Sequence, residues 1–356
     1  MTTQPTVDYT HVEAFLGKVM ADTSGLMVTI MASLGDRLGL FKNLAYGPAT
    51  SAQLATRAGL NERYTREWLS AMASAGYIAY DPASSCFTLP PEHLPVLAQE
   101  NGPFFCGGIH QFLLGLSEQR QGVLQAFRQG GGIPPSAYSA DVWEGMARAS
   151  ASAFEHLLVP VVIPSMPAVQ AHLVQGAQVA DVGCGHGRAL IKLAQSYPAS
   201  QYVGYDFFEP LITHATQAAE QAGVADRVRF CCLDASQGLP ETYDVITTYD
   251  VVHDAVDPRG LLRAIRQALR PEGRYVCGEF NSSEKLEENA GPLGTILYGT
   301  SVLYCMTTSL SNHGEGLGSA GLPESKLREL CRDAGFSSIH HVPLENPFNI
   351  LYEIAP

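Results

Sequence analysis

The chain reads as an α/β protein: a doubly wound, mostly parallel sheet preceded by a smaller, mainly helical domain. Three observations lead there. Short hydrophobic strands alternate with amphipathic helices through the second half of the sequence. Four of those strands run out into an acid, at Asp181, Asp206, Asp234 and Asp250. The first of them opens into a loop with glycine at every second position, Gly183, Gly185 and Gly187. A length of 356 residues also exceeds the ~250–300 at which single cores stop growing, so two domains are expected, 1–160 and 161–356.

The helical part comes first. Val12–Leu40 carries Phe15, Leu16, Met20, Leu26, Met27, Ile30, Met31 and Leu34. That is too apolar for a solvated helix, so it packs on a partner, over the site, or in an ordinary core. A short helix over Thr50–Leu60, with Ser51 as a candidate cap, ends at Gly59. A second over Glu62–Ala75 places Tyr64, Trp68, Leu69 and Met72 at helical spacing. Tyr77–Tyr80 and Cys86–Leu89, joined by Asp81-Pro-Ala-Ser-Ser85, then make a hairpin. Helix, turn, helix, hairpin is a winged helix, which either reads DNA or serves as an oligomerisation and substrate-lid module. Residues 1–160 hold nine basic side chains against thirteen acidic ones, and Glu62 and Glu67 sit on the would-be reading helix. Nucleic-acid affinity rests on Lys and Arg at phosphates, so the charge favours the second role.

The catalytic half follows Pro160, Pro164 and Pro167. Strand Val179–Val182 leads through the glycine loop into helix Arg188–Gln195, whose free N–H groups favour a carboxylate or a phosphate. A dinucleotide fingerprint would place its third glycine where Arg188 stands, and Asp181 would repel a pyrophosphate. Strand Gln201–Asp206 puts Asp206 nineteen residues past Gly187, near the ~20-residue offset at which an acid grips ribose hydroxyls. A carboxylate suits a diol because it accepts two hydrogen bonds and donates none. Helix Glu209–Ala222, strand Arg227–Asp234, strand Tyr243–Asp250, helix Pro258–Leu269 and strand Arg274–Glu279 continue the alternation. Ligands in such sheets sit at the carboxyl ends of the strands, where the four acids and His253 fall. Helix Glu324–Ala334 and strands Ser337–Val342 and Asn349–Ile354 close the chain.

The D-x-G-x-G-x-G run from Asp181 to Gly187 resembles motif I of the class I S-adenosylmethionine (SAM) methyltransferases. The resemblance implies a Rossmann-like sheet of seven strands with an antiparallel last strand, and a loop that holds the methionine part of SAM. It gives Asp234, with Ala235 beside it, the adenine amine, Phe207 the packing against the adenine ring, and Asp250 a place on the same edge. The turn Arg270–Gly273 before the fifth strand is another habit of that family. A winged helix ahead of this cassette is similar to the phenolic O-methyltransferases, whose N-terminal domain is a dimerisation platform. SAM as cofactor, S-adenosylhomocysteine as product, a small-molecule acceptor and a homodimer follow from that likeness.

Methyl transfer from a sulfonium is an in-line displacement in which a hydroxyl or thiol acceptor must also lose a proton. Val252-His253-Asp254 resembles the His-Asp pair of the phenolic enzymes, whose histidine is the general base. Asp254 would then hold the tautomer or cap the next helix. The tryptophan that usually follows that pair is Ala255 here. The long segment Asn281–Gly321 offers Asn289, Tyr298 and Tyr304 for an acceptor, and its glycines suggest a mobile lid. His110 is a further substrate candidate. O-methylation is the first expectation, S-methylation of a small thiol the second, with N- or C-methylation behind. A protein that binds SAM without methyl transfer is the alternative of a different class.

Composition bounds these readings. A formal net charge of −13 disfavours polyanionic partners, and no apolar run approaches the ~18 residues of a membrane span. The N-terminus has neither the basic region nor the apolar core of a signal peptide. The eight cysteines include no C-x-x-C pair, so the spacing gives no metal framework and fits a reducing cytoplasm.

Overall fold

A computed structural model describes residues 7–356. The stretch Met1–Thr6 read above for a leader lies outside the described residues. Contacts divide the chain into two compact units that meet at Leu114 and Gly115.

In the first unit, Asp8 caps a 29-residue helix, Tyr9–Arg37, by accepting from the Thr10 N–H. Its apolar side chains do not form a core over most of its length: Phe15 is 65% exposed and Met20 61%. Only its C-terminal end, from Val28 to Ala32, joins the cluster of Leu40, Phe41, Leu44, Leu54, Trp68, Leu69 and Met72. The Trp68 indole N–H anchors that end by donating to the Met31 carbonyl at 2.7 Å. By length and composition this helix could cross a membrane, contrary to the sequence expectation. A surface ion pair between Lys18 and Asp22, 2.6 Å apart in its middle, opposes insertion.

Helices Ser51–Ala58 and Glu62–Ser74 and the hairpin of β1 (Ala79–Asp81) with β2 (Cys86–Thr88) are where the sequence puts them. The cap of the first helix is Thr50, not Ser51. Thr50 and Gln53 form a reciprocal capping box, while Ser51 donates to Glu62 at 2.6 Å. Asn61 caps the second helix.

The second unit is built on a seven-stranded sheet of β3 (Gln178–Val182), β4 (Gln201–Asp206), β5 (Val228–Cys232), β6 (Tyr243–Tyr249), β7 (Leu269–Phe280), β8 (Ser338–Val342) and β9 (Asn349–Ala355). The spatial order is β5-β4-β3-β6-β7-β9-β8. Only β9 runs against its neighbours, β7 and β8. One hydrophobic cluster covers each face: Ile246, Leu262, Ile265, Leu327 and Ile354 on one side, Val179, Leu190, Leu193 and Val276 on the other. The order reverses between β3 and β6, so the crevice beyond β4, β3 and β6 lies at the topological switch point.

The unit boundary at Leu114 precedes the expected one at 160 because residues 115–160 pack on the catalytic segment. Ile133 N–H donates to the Thr307 carbonyl at 3.1 Å, and the Tyr138 hydroxyl to the Leu303 carbonyl at 2.6 Å. The segment after β7 is largely helical, Pro292–Thr300, Ser301–Cys305 and Met306–Ser311. Its glycine-rich end is not free: Glu315 N–H bonds the Val256 carbonyl at 3.2 Å, and Gly318 N–H the His253 carbonyl at 2.9 Å. It is a fixed cover over the β6 exit, not the open lid that its glycines suggest.

Candidate active site

The glycine loop owes its shape to left-handed backbone. Gly183 has φ +70°, and a Cβ there would stand 2.5 Å from Val251 Cγ2. Gly185 has φ +52° and faces open space, with no atom within 4 Å of where a Cβ would be. Gly187 (φ +74°) leads into helix Arg188–Ser196, which has no side-chain cap. Its first-turn N–H groups therefore face whatever the loop holds. Arg188 opens that helix with its Nε buried and without a hydrogen-bond partner.

Asp206 ends β4 and ties the loop to it. Its Oδ2 accepts from Gly185 N–H and its Oδ1 from Phe208 N–H, each at 3.0 Å. Burial raises its pKa above the ordinary carboxylate value while these donors oppose the shift. Each oxygen keeps a lone pair for a diol. Asp181, inside β3, accepts from the Thr247 hydroxyl of β6 at 2.6 Å, and burial pushes its pKa up to about 7. Asp234 is exposed and lies two residues beyond β5, where its Oδ1 accepts from Ser236 N–H at 3.0 Å and Ser236 hydroxyl at 2.7 Å. Ala235 is buried beneath it. Phe207 is 62% exposed beside this edge, and the next ring, Phe208, turns in against Trp143 with centroids 4.9 Å apart.

A SAM-shaped ligand tests this cradle well. The orphan Arg188 nitrogen and uncapped helix suit its carboxylate, Asp206 its ribose diol, and the free Oδ2 of Asp234 an adenine amine. The sequence does not bring Arg188 into the cofactor set; there it stands out only as a break in a different fingerprint.

At the other end, β6 and β7 lie side by side and bring together residues 26 positions apart. His253 is 2% exposed and Glu279 1%. Glu279 Oε2 lies 2.6 Å from His253 Nδ1, and its Oε1 accepts from Val252 N–H at 2.8 Å. Burial would lower the histidine pKa, but the Glu279 carboxylate overrides that and holds it well above the usual value. The Phe280 ring, 4.9 Å away, flanks the imidazole.

Asp254 does not orient His253, for Glu279 already holds Nδ1, and it does not cap the next helix. Asp257 does that by accepting from Gly260 N–H at 2.7 Å. Asp254, with burial raising its pKa to about 7, instead lies near Cys305; their ligand atoms and a ring nitrogen of His253 lie within 4.8 Å of one another. Asp250 takes a left-handed φ of +56° and accepts from the Asn349 amide at 2.9 Å, its pKa pushed up to about 7 by burial and by Glu279.

The expected acceptor residues divide. Tyr304 is buried in an aromatic wall, 5.2 Å from Tyr138 and 5.9 Å from Trp143, and Asp254 is among the groups acting on its hydroxyl. Asn289 instead braces its own loop, accepting from Ser283 N–H and donating to Ser283 O, both at 2.8 Å, and to the Tyr298 hydroxyl at 2.9 Å. His110 belongs to the first unit, where burial lowers its pKa and Asp36 opposes the shift.

Comparison with known proteins bears on the fold. Residues 26–99 match the Rv2258c-like winged HTH domain family, and residues 173–311 match a methyltransferase domain family. The chain carries a methyltransferase domain behind a winged helix-turn-helix domain. Among curated proteins, it is 31% identical over 111 residues to a ubiquinone biosynthesis O-methyltransferase of Cereibacter sphaeroides, 31% of this chain and 44% of that one. The enzyme of the same name from Aliivibrio fischeri is 23% identical over 176 residues, 49% of this chain and 72% of that one. The chain thus spans less than half the length of the first of these relatives. Among solved structures, a putative O-methyltransferase from Nostoc punctiforme shares the fold with a TM-score of 0.70 at 20% identity, over 99% of this chain and 100% of that one. Human N-acetylserotonin methyltransferase in complex with SAM gives 0.70 at 16% identity, over 100% and 99%. At such identities the likeness establishes the fold.

Proposed function

We propose that this protein is a SAM-dependent methyltransferase that moves a methyl group to a hydroxyl of a small aromatic molecule, with His253 as general base. When bound, SAM supplies an electrophilic methyl on a sulfonium. The observation that carries the reading is the buried Glu279–His253 pair at 2.6 Å. With Nδ1–H donated to Glu279, Nε2 is the nitrogen left for the acceptor, and once it has lost the proton that Glu279 favours it takes the acceptor's proton, so transfer is expected to rise with pH. Glu279 then stabilises the imidazolium that forms. The wall of Tyr138, Trp143, Phe208 and Tyr304 offers flat apolar faces for an aromatic acceptor, and the closed cover at 315–318 keeps water from the pair.

A small molecule suits the site better than a nucleic acid. On helix Glu62–Ser74 both arginines are paired by acids of the same helix, Arg63 with Glu67 and Arg66 with Glu62. The bare apolar face of helix Tyr9–Arg37 supports a homodimer, formed in the cytoplasm, with the first unit as its platform. Isothermal titration of SAM onto purified protein, followed by methyl-transfer assays on phenols and thiols, tests the whole reading. Transfer to phenols supports it. Transfer to thiols alone, or tight SAM binding with no transfer to any acceptor, overturns it.

A further inference from the structure

The imidazole of His253 has chemistry in two places. One is the Glu279 contact at Nδ1; besides it, a ring nitrogen of His253 and the donor atoms of Asp254 and Cys305 lie within 4.8 Å of one another. We infer that these three residues form a binding site for a soft divalent metal ion of the zinc class, with a fourth position left to water or to the acceptor's heteroatom.

Imidazole, carboxylate and thiolate together are a zinc-type donor set, and three protein ligands with one open position is the arrangement of reactive zinc sites. Bonds of ~2.0–2.3 Å set the donors somewhat closer than they now stand, within the reach of small side-chain rotations. The surroundings are those that metal ligands need. A ligating histidine almost always gives its other nitrogen to a carboxylate, as His253 does to Glu279 at 2.6 Å. The Ser319 hydroxyl, 1% exposed, donates to Cys305 Sγ at 3.0 Å and so holds the sulfur in place. Gly318 N–H fixes the His253 carbonyl at 2.9 Å, so one turn of chain steadies two of the three ligands. Burial raises the Asp254 pKa to about 7, and a cation bound beside it would favour the ionised carboxylate. The ligands come from positions 253, 254 and 305, a spacing that cysteine counting does not flag.

An ion here takes the Nε2 lone pair that proton removal uses, so metal loading and methyl transfer exclude each other. That consequence rests on the base reading above; the binding does not. The test is a titration of Co2+ into chelator-treated protein, read by absorbance. One equivalent is expected to give visible tetrahedral bands and a near-ultraviolet thiolate-to-cobalt band. Cys305→Ser removes the near-ultraviolet band, Cys86→Ser keeps it, and Asp254→Asn weakens binding by at least ~10-fold. If Cys305→Ser does not fold, Asp254→Asn and His253→Asn carry the test through their affinities. No thiolate band at millimolar Co2+, or a band that survives Cys305→Ser in folded protein, overturns the site. Zn2+ is expected to displace Co2+ and to inhibit methyl transfer, with recovery on chelation. Cobalt binding by all these criteria, with transfer unaffected, upholds the metal site and overturns the base instead.

Discussion

Replacing Glu279 with glutamine removes one charge and almost no volume, yet it leaves the site with one acceptor where two donors need one each. In the parent protein Oε1 takes Val252 N–H at 2.8 Å and Oε2 faces His253 Nδ1 at 2.6 Å. An amide has a single oxygen. If that oxygen stays on Val252, its NH2 group points at Nδ1 and forces the proton onto Nε2, the nitrogen that must accept. If it turns to Nδ1, the NH2 group meets Val252 N–H and leaves a buried donor unpaired, at ~1–3 kcal/mol. The first arrangement avoids that cost and is the wrong tautomer for a base. The comparable carboxylate-to-amide change behind a serine-protease histidine lowers kcat by about 10⁴. A fall in kcat of roughly 10³–10⁴ is therefore expected for Glu279→Gln, with KM for the acceptor little changed. Single-turnover transfer of labelled methyl, with SAM affinity measured alongside, reads both. A variant whose kcat stays within about tenfold of the parent at unchanged SAM affinity refutes a base oriented by Glu279.

Asp206→Ala strips the acceptor from Gly185 and Phe208 N–H and removes the ribose grip, so SAM affinity by calorimetry is expected to fall at least ~100-fold. Arg188→Ala is expected to weaken SAM about tenfold and to leave a decarboxylated SAM analogue untouched, since only the carboxylate meets the guanidinium. Asp181 has a folded pKa of about 7 against an ordinary 3.8, so the ligand-free fold binds a proton more tightly than the unfolded chain does. Its contribution to stability is fully present below pH ~4 and is lost as pH rises toward 7. Asp181→Asn is expected to flatten that part of the stability–pH curve in denaturant titrations. Phe15→Glu with Met20→Glu places charge on the bare face of helix Tyr9–Arg37 and is expected to give a folded monomer by light scattering, against the dimer expected of the parent protein.

The parts of this protein legible in the sequence are those written in consecutive residues. The glycine loop, the acids near strand ends, the winged-helix order and the alternation of strands and helices are local patterns that the structure keeps with small shifts: Asp181 lies inside β3, Asp234 two residues beyond β5, and the turn expected at Arg270–Gly273 falls within β7. The cap at Thr50 was misread by one position because threonine and serine offer the same hydroxyl, and only the reciprocal bond from Gln53 separates them. What the sequence concealed are relations across the sheet. Asp254 looked like the partner of His253 because it is adjacent in sequence, but neighbouring residues on a turn point apart, while β6 and β7 run side by side in register. That pairing carries Glu279, 26 positions on, to the imidazole, and the cover returning from β7 carries Cys305 and Ser319 close to it. The consequence reaches the chemistry. Asp254 is released from the orienting role, and its carboxyl, whose pKa burial raises to about 7, lies instead within ligand distance of Cys305. Adjacency in sequence therefore pairs His253 with Asp254, whereas the carboxylate that meets its Nδ1 is Glu279, brought there by the pairing of two strands.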